Sequence, residues 1–203
     1  MTQKDDSYLT IDSESKESLF KDRNSKFIGC AFPINNKNQI KQIIEAVKKR
    51  HHSARHWCYA YQLGVNHTYY RVNDDGEPSN SAGMPIYGQI QSFNLKNICV
   101  VVVRYYGGIK LGVSGLINAY RTAARLTLEN ASVIEKTIDS QFLIECKYDE
   151  LSKIMRLIKL NQATILEQHM TLNCQIKVSI REKKSTSFVN SIKLHHRINI
   201  KKI

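Results

Sequence analysis

The sequence predicts an α+β chain of two domains, and three observations carry that reading. Ile98–Val103 is continuously apolar and largely β-branched, as a central strand covered on both faces requires. A glycine-containing loop and an amphipathic helix follow it directly. Around Ser132–Thr137 the pattern restarts and then reads strand, helix, strand, strand, helix, strand, the ferredoxin-like order. The expected division is an N-terminal tail at 1–15, a first domain at 16–133 and a ferredoxin-like second domain at 134–203.

Taken in order, Leu19–Asp22 and Lys26–Phe32 read as short strands, because Phe27, Cys30 and Phe32 are strand formers and Asn24-Ser25 suits a turn; Pro33 closes the hairpin. Asn36 or Asn38 caps a helix whose apolar residues Ile40, Ile43, Ile44 and Val47 repeat at helical spacing and whose last turn carries Lys48, Lys49 and Arg50. Trp57–Leu63 and Thr68–Val72 form a second strand pair across Gly64-Val65-Asn66. After Gly112 a helix capped by Ser114 buries Leu116, Tyr120, Ala123, Ala124 and Leu128. In the second domain Phe142, Ile144, Cys146 and Tyr148 alternate as a strand, and Asp149 caps a helix through Leu151, Ile154, Met155 and Ile158. Thr164–Thr171 is weakly patterned, Ile176, Val178 and Ile180 alternate cleanly, Glu182–Leu194 is a polar helix and Arg197–Ile203 a last strand.

At 203 residues the chain can bury a real core. No stretch approaches the roughly 20 apolar residues of a membrane span, and no apolar segment follows a basic start, so a soluble, cytoplasmic protein is expected. Five scattered cysteines without a C-x-x-C argue against a disulfide framework and a closed zinc site, and for reduced, buried thiols. The net charge is +12 and the pI about 9.5. Residues 1–135 hold 17 cationic and 12 anionic side chains, residues 136–203 hold 13 and 6, so the second domain is the more densely basic. Such charge favours polyanions through counterion release, although it equally suits a solvated surface in a Lys- and Asn-rich chain.

Three segments are dense in chemically useful residues: His51–Cys58, Asp74–Ser79 and Arg104–Gly115. Glycines 107, 108, 112 and 115 let main chain approach a ligand, and the helix after them offers free N–H groups to a phosphate or carboxylate. The same glycines also suit a tight turn that packs helix on strand. Gly107 and Gly112 have P-loop spacing, but Val113 stands where the phosphate-clamping lysine belongs and no G-x-G-x-x-G is present, which excludes ATP and NAD by those routes. No cofactor is expected. His52, His56 and Cys58 superficially resemble a metal cluster, yet they straddle a helix end and a strand and need not converge, so no metal is assigned. Asp74, Asp75 and Glu77 suit acid–base chemistry as well as a solvated turn. No nucleophile–base pair stands out, and the catalytic residues stay unassigned.

Taken together, H-S-A-R-H-W-C-Y-A-Y (52–61), N-D-D-G-E-P-S-N-S-A-G-M-P-I (73–86) and V-R-Y-Y-G-G-I-K-L-G-V-S-G-L-I-N-A-Y (103–120) resemble the YigZ/IMPACT family over roughly residues 16–130. The tail resembles the second domain of the bacterial YigZ branch, which is similar to domains of elongation factor G. The resemblance implies a two-layer α/β first domain like the second domain of a small-subunit ribosomal protein. It implies contact with RNA or the ribosome, or with a protein partner, in translation control; eukaryotic relatives restrain an amino-acid-starvation kinase that acts on initiation. No reaction is securely attached to the family. The candidate anion or nucleic-acid site is Arg55, His56, Ser79, Arg104, Gly107, Gly108, Lys110, Gly112, Ser114 and Gly115, gathered into one polar cleft. An enzyme acting on a phosphorylated or carboxylated small molecule, using Asp74, Asp75 or Glu77, is the alternative, and a protein–protein regulator a third. Asn80 and Ser81 replace a common Gly-Thr, and Ser114 a common Gly, which should narrow the loop.

Overall fold

The structure is a computed structural model that describes residues 6–65 and 68–203; the expected connection at 64–66 falls partly outside them, at Asn66. Contacts divide the chain into two compact units, Tyr8–Lys136 and Thr137–Ile203, the latter including Asp6 and Ser7. The α+β class and the ferredoxin-like order both hold.

The larger unit starts with β1 (Ser7–Ile11), then β2 (Ser18–Asp22), β3 (Ser25–Pro33), α1 (Asn38–Arg50), β4 (His56–Leu63), β5 (Tyr69–Asn73), α2 (Gly83–Ser92), β6 (Ile98–Tyr105), α3 (Gly112–Glu129) and β7 (Val133–Thr137). Its five-stranded sheet runs β2-β3-β6-β4-β5 with every pairing antiparallel. The central strand is β6. Because side chains alternate along a strand, Val100 and Val102 enter one core with Cys58, Ala60 and the apolar faces of α2 and α3. Cys99, Val101 and Val103 enter a second core with Ile40, Val47 and Tyr61 beneath α1. Each fully buried aliphatic side chain is worth about 1.5–3 kcal/mol, so β6 ties both layers to the sheet. Helices thus lie on both faces of this sheet, α2 and α3 on one and α1 on the other.

Several local expectations shift. The β2–β3 turn is Arg23-Asn24, one residue earlier than expected, with φ of 42° and 64°. Asn36 caps α1, its Oδ1 accepting from the N–H groups of Asn38 and Gln39. The expected tail is partly built in: β1 pairs with β7, Ile11 is fully buried, and Ser15 Oγ accepts from Ala31 N–H. Ser114 does not cap α3, which starts at Gly112 with Ser114 exposed in its first turn. Helix α2 was not expected, since Gly83, Pro85 and Gly88 are poor helix formers.

The smaller unit comprises β8 (Asp139–Lys147), α4 (Leu151–Leu160), β9 (Thr164–His169), β10 (Asn173–Arg181), α5 (Glu182–Lys193) and β11 (Asn199–Lys202), with sheet order β11-β8-β10-β9. Alternate residues of β8 and β10, among them Ile144, Ile176 and Val178, bury against Ile154, Ile158, Phe188 and Ile192 of the two helices. A 3₁₀ turn at Tyr148–Glu150 leads into α4, so Asp149 does not cap it. Asp6 forms a two-point ion pair with Arg181, at 2.7 and 2.9 Å. That hydrogen bond holds the Asp6 carboxyl below its ordinary pKa. Among the described residues no helix is long and apolar enough to cross a membrane.

Candidate functional site: a cationic cleft at the start of helix α3

In the β4–β6 ladder His56 is paired directly with Arg104, which brings the histidine-rich segment beside the start of the glycine loop. The loop after β5 closes over the same corner. A cleft of about 450 Å³ results, lined by Arg55, His56, Glu77, Pro78, Arg104, Tyr106, Lys110, Leu111, Gly112, Val113 and Leu116. All three segments thus contribute. The cleft is not uniformly polar, as had been expected: Pro78, Tyr106, Leu111, Val113 and Leu116 give it an apolar wall, with the cationic side chains around it.

Glu77 and Arg104 form the buried center. Their side chains are only 4% and 6% exposed, and Arg104 Nη1 donates to Glu77 Oε1 at 2.7 Å. The Tyr120 hydroxyl donates to the same oxygen at 2.8 Å. Cys58 Sγ lies 3.3 Å from that hydroxyl and 3.0 Å from the Asp74 carbonyl oxygen. Burial pushes both the Cys58 thiol and the Tyr120 hydroxyl well above their ordinary pKa values. Both therefore stay protonated, and Cys58 is a structural donor without nucleophilic character. The Arg104 guanidinium lies between the rings of Phe27 and Tyr106, 5.5 and 5.3 Å from their centers. Its Nε is buried with no hydrogen-bond partner among the described residues.

The other two acids build the loop. Asp74 Oδ1 accepts from the N–H groups of Ala82 and Gly83 and its Oδ2 from Asn80, so it caps α2 from eight residues away. Asp75 Oδ2 accepts from Trp57 N–H at 2.8 Å, and its carbonyl accepts from His56 Nδ1 at 2.9 Å. A carbonyl can only accept, which fixes the proton on Nδ1 and leaves His56 Nε2 as the ring's unassigned nitrogen. Neither Asp74 nor Asp75 lines the cleft. Asn80 has φ of 61°, and asparagine tolerates that left-handed region better than other side chains. Ser81 Oγ donates to the Pro78 carbonyl at 2.6 Å.

The N-terminus of α3 opens on the cleft at Gly112 and Val113, without a side-chain cap and without an acidic residue in its first turn. Its free N–H groups and dipole favour an anion there. Arg55 and Lys110 are exposed and have no ion-pair partner among the described residues. Ser79, Gly107, Gly108, Ser114 and Gly115 lie outside the lining. Gly107 serves packing instead, since a Cβ on it would meet the Asn24 backbone at 2.1 Å. The metal-type residues separate: His52 is exposed, His56 lies at the cleft and Cys58 is buried. Tyr120 and Leu116 were expected as buried helix residues, but their place at the site, and the apolar wall as a whole, were not. A tyrosine on the buried face of an amphipathic helix, needing a partner for its hydroxyl, was the available signal for Tyr120.

The Impact N-terminal domain matches residues 23–128. IMPACT family member YvyE of Bacillus subtilis is 32% identical over 182 residues, spanning 90% of this chain and 83% of that one. Protein IMPACT of Homo sapiens is 35% identical over 96 residues, 45% of this chain and 29% of that protein. A crystal structure described as that of a hypothetical protein superposes with a TM-score of 0.75 at 26% identity, covering 98% of both chains.

Proposed function

The chain belongs to the IMPACT family, and on that premise we propose that it is a binding protein of translation control whose cleft holds a phosphate of RNA or of the ribosome. The observation that carries this reading is the convergence of the open α3 N-terminus with Arg55 and Lys110, none of them paired with a carboxylate among the described residues. Glu77 does not cancel that field, because its charge is spent on Arg104. The role in translation rests on kinship with the eukaryotic relatives, and the cationic cleft is compatible with it. Cytoplasmic location belongs to the same proposal.

The test is co-sedimentation with ribosomes across a salt series. The Arg55→Ala/Lys110→Ala variant alters two exposed side chains and should keep its fold. It should bind about tenfold more weakly and with a shallower salt dependence. Unchanged binding would remove the cleft from the reading, and binding that survives nuclease treatment would favour a protein partner. The small-molecule enzyme reading retains one observation, the His56 ring held by Asp75 with Nε2 unassigned. A His56→Gln variant with unaltered ribosome binding and loss of turnover on a phosphorylated substrate would support it.

A further inference from the structure

A second concavity, of about 510 Å³, lies on the opposite face of the sheet, between α1 and strands β4 and β5. Its sheet side presents the rings of Trp57, Tyr59, Tyr61 and Tyr69. Tyr59 and Tyr61 are stacked, 6.4 Å apart and 12° from parallel, and Tyr61 and Tyr69 follow at 6.1 Å. Tyr61 is buried as the base of this ladder, Trp57 and Tyr59 are half-buried and Tyr69 is exposed. Lys37, Lys41, Lys48 and Arg71 surround the rings. Two carboxylates lie among them: Glu45 is 4.0 Å from Lys41, and Asp75 is bound to Trp57 N–H. The cations outnumber the acids.

The contents of the groove decide what chemistry it suits. Lys37 Nζ sits 3.7 Å from the center of the Tyr69 ring and Lys48 Nζ 4.9 Å from that of Trp57. The ring faces thus already carry the protein's own ammonium groups, which disfavours a cationic ligand such as a quaternary amine. A flat, uncharged base can replace an ammonium on the ring, and the displaced lysine then meets the strand's phosphate. Interleaved aromatic rings and flexible cations are the combination that holds unpaired nucleotides, because every base has a face to stack and a phosphate to neutralise. Trp57 Nε1 is also a buried donor with no acceptor among the described residues.

We propose that this groove binds a single nucleic-acid strand, with bases on Trp57, Tyr59 and Tyr69 and phosphates on Lys37, Lys41, Lys48 and Arg71. It deepens the function proposed above by naming unpaired nucleotides as a ligand, at a place separate from the cleft. A duplex keeps its bases stacked on one another and cannot present them to the rings.

Trp57 is the chain's one tryptophan and lines the groove, so its emission responds to a ligand bound there. The full chain is titrated with a twelve-nucleotide oligouridylate, with the oligothymidylate of the same length, and with a blunt RNA duplex. Quenching by either single strand, and none by the duplex at equal phosphate, is the expected result. Tyr69→Ala and Lys37→Gln/Lys48→Gln each weaken the quenching titration about tenfold. The lysine pair also lowers the logarithmic salt slope by about 1.4. The cleft variant Arg55→Ala/Lys110→Ala leaves quenching intact, so failure at the cleft and failure here are separate results. The proposal is overturned by emission that no single strand changes, by equal quenching with the duplex or with choline, or by full affinity in both groove variants.

Discussion

Replacing Glu77 by alanine strands the Arg104 guanidinium inside the protein. The carboxylate accepts from Arg104 at 2.7 Å and from Tyr120 at 2.8 Å, and both charged side chains are more than nine-tenths buried. The charge-assisted bond is worth about 1.5–3 kcal/mol and the tyrosine bond about 1 kcal/mol. The guanidinium left behind already has one buried nitrogen without a partner among the described residues, and it then also loses its Glu77 counter-charge. The expected loss is about 3–5 kcal/mol, the range for removing one member of a buried pair. Urea unfolding followed by Trp57 emission measures it; with a slope of about 2 kcal/mol per molar, the midpoint falls by about 2 M. Glu77→Gln retains an acceptor oxygen and should lose roughly half as much. Glu77→Ala/Arg104→Leu removes the stranded charge and should recover much of the loss. Stability of Glu77→Ala within about 0.5 kcal/mol of wild type would refute the reasoning, as would a double variant whose loss equals the sum of the two single ones.

Gly107→Ala should destabilise by about 1–3 kcal/mol, because its Cβ would collide with the Asn24 and Ser25 backbone at 2.1–2.5 Å and neither can move as a side chain would; an unaltered melting temperature would contradict that packing. Asp6 has a folded pKa below its unfolded value, so its ion pair with Arg181 contributes stability above about pH 4 that is lost as pH falls through the folded pKa. Asp6→Asn should accordingly be less stable than wild type at pH 7, with the gap closing toward pH 2 in denaturant titrations. Burial pushes the Cys30 thiol up to about 12, so native protein at pH 9 should resist alkylation there, as peptide mapping after iodoacetamide would show.

Legibility in the sequence followed the range of the signal. The Ile98–Val103 run and the Ile40–Val47 repeat carry their periods locally, and β6 and α1 lie where those periods place them. Strand β1 escaped because its partner β7 is more than 120 residues away in sequence and its side chains only half fill a face. Helix α2 escaped because its cap is Asp74, beyond the few residues over which capping patterns are read. Of the residues expected in one cleft, Arg55, His56, Arg104, Lys110 and Gly112 line it, and Ser79, Gly107, Gly108, Ser114 and Gly115 do not. The employment of Asp74 and Asp75 was not foreseen, since a D-D-G-E loop does not reveal which carboxylate turns inward. Only the ladder register and the buried Arg104 select Glu77.

The H-W-C-Y-A-Y segment is contiguous in sequence, yet a strand sends successive side chains to opposite faces. In β4, His56 lies at the cleft, and Cys58 and Ala60 enter the core beneath α2 and α3. Trp57, Tyr59 and Tyr61 turn instead toward α1 and the aromatic groove. The density of useful residues there thus reflects two surfaces sharing one strand, which is why no single constellation of nucleophile, base or metal ligands could be drawn from it. The two surfaces share one anchor, since the Trp57 backbone N–H donates to the Asp75 carboxylate and His56 Nδ1 to its carbonyl. Position along β4 thus decides which of the two surfaces a residue serves.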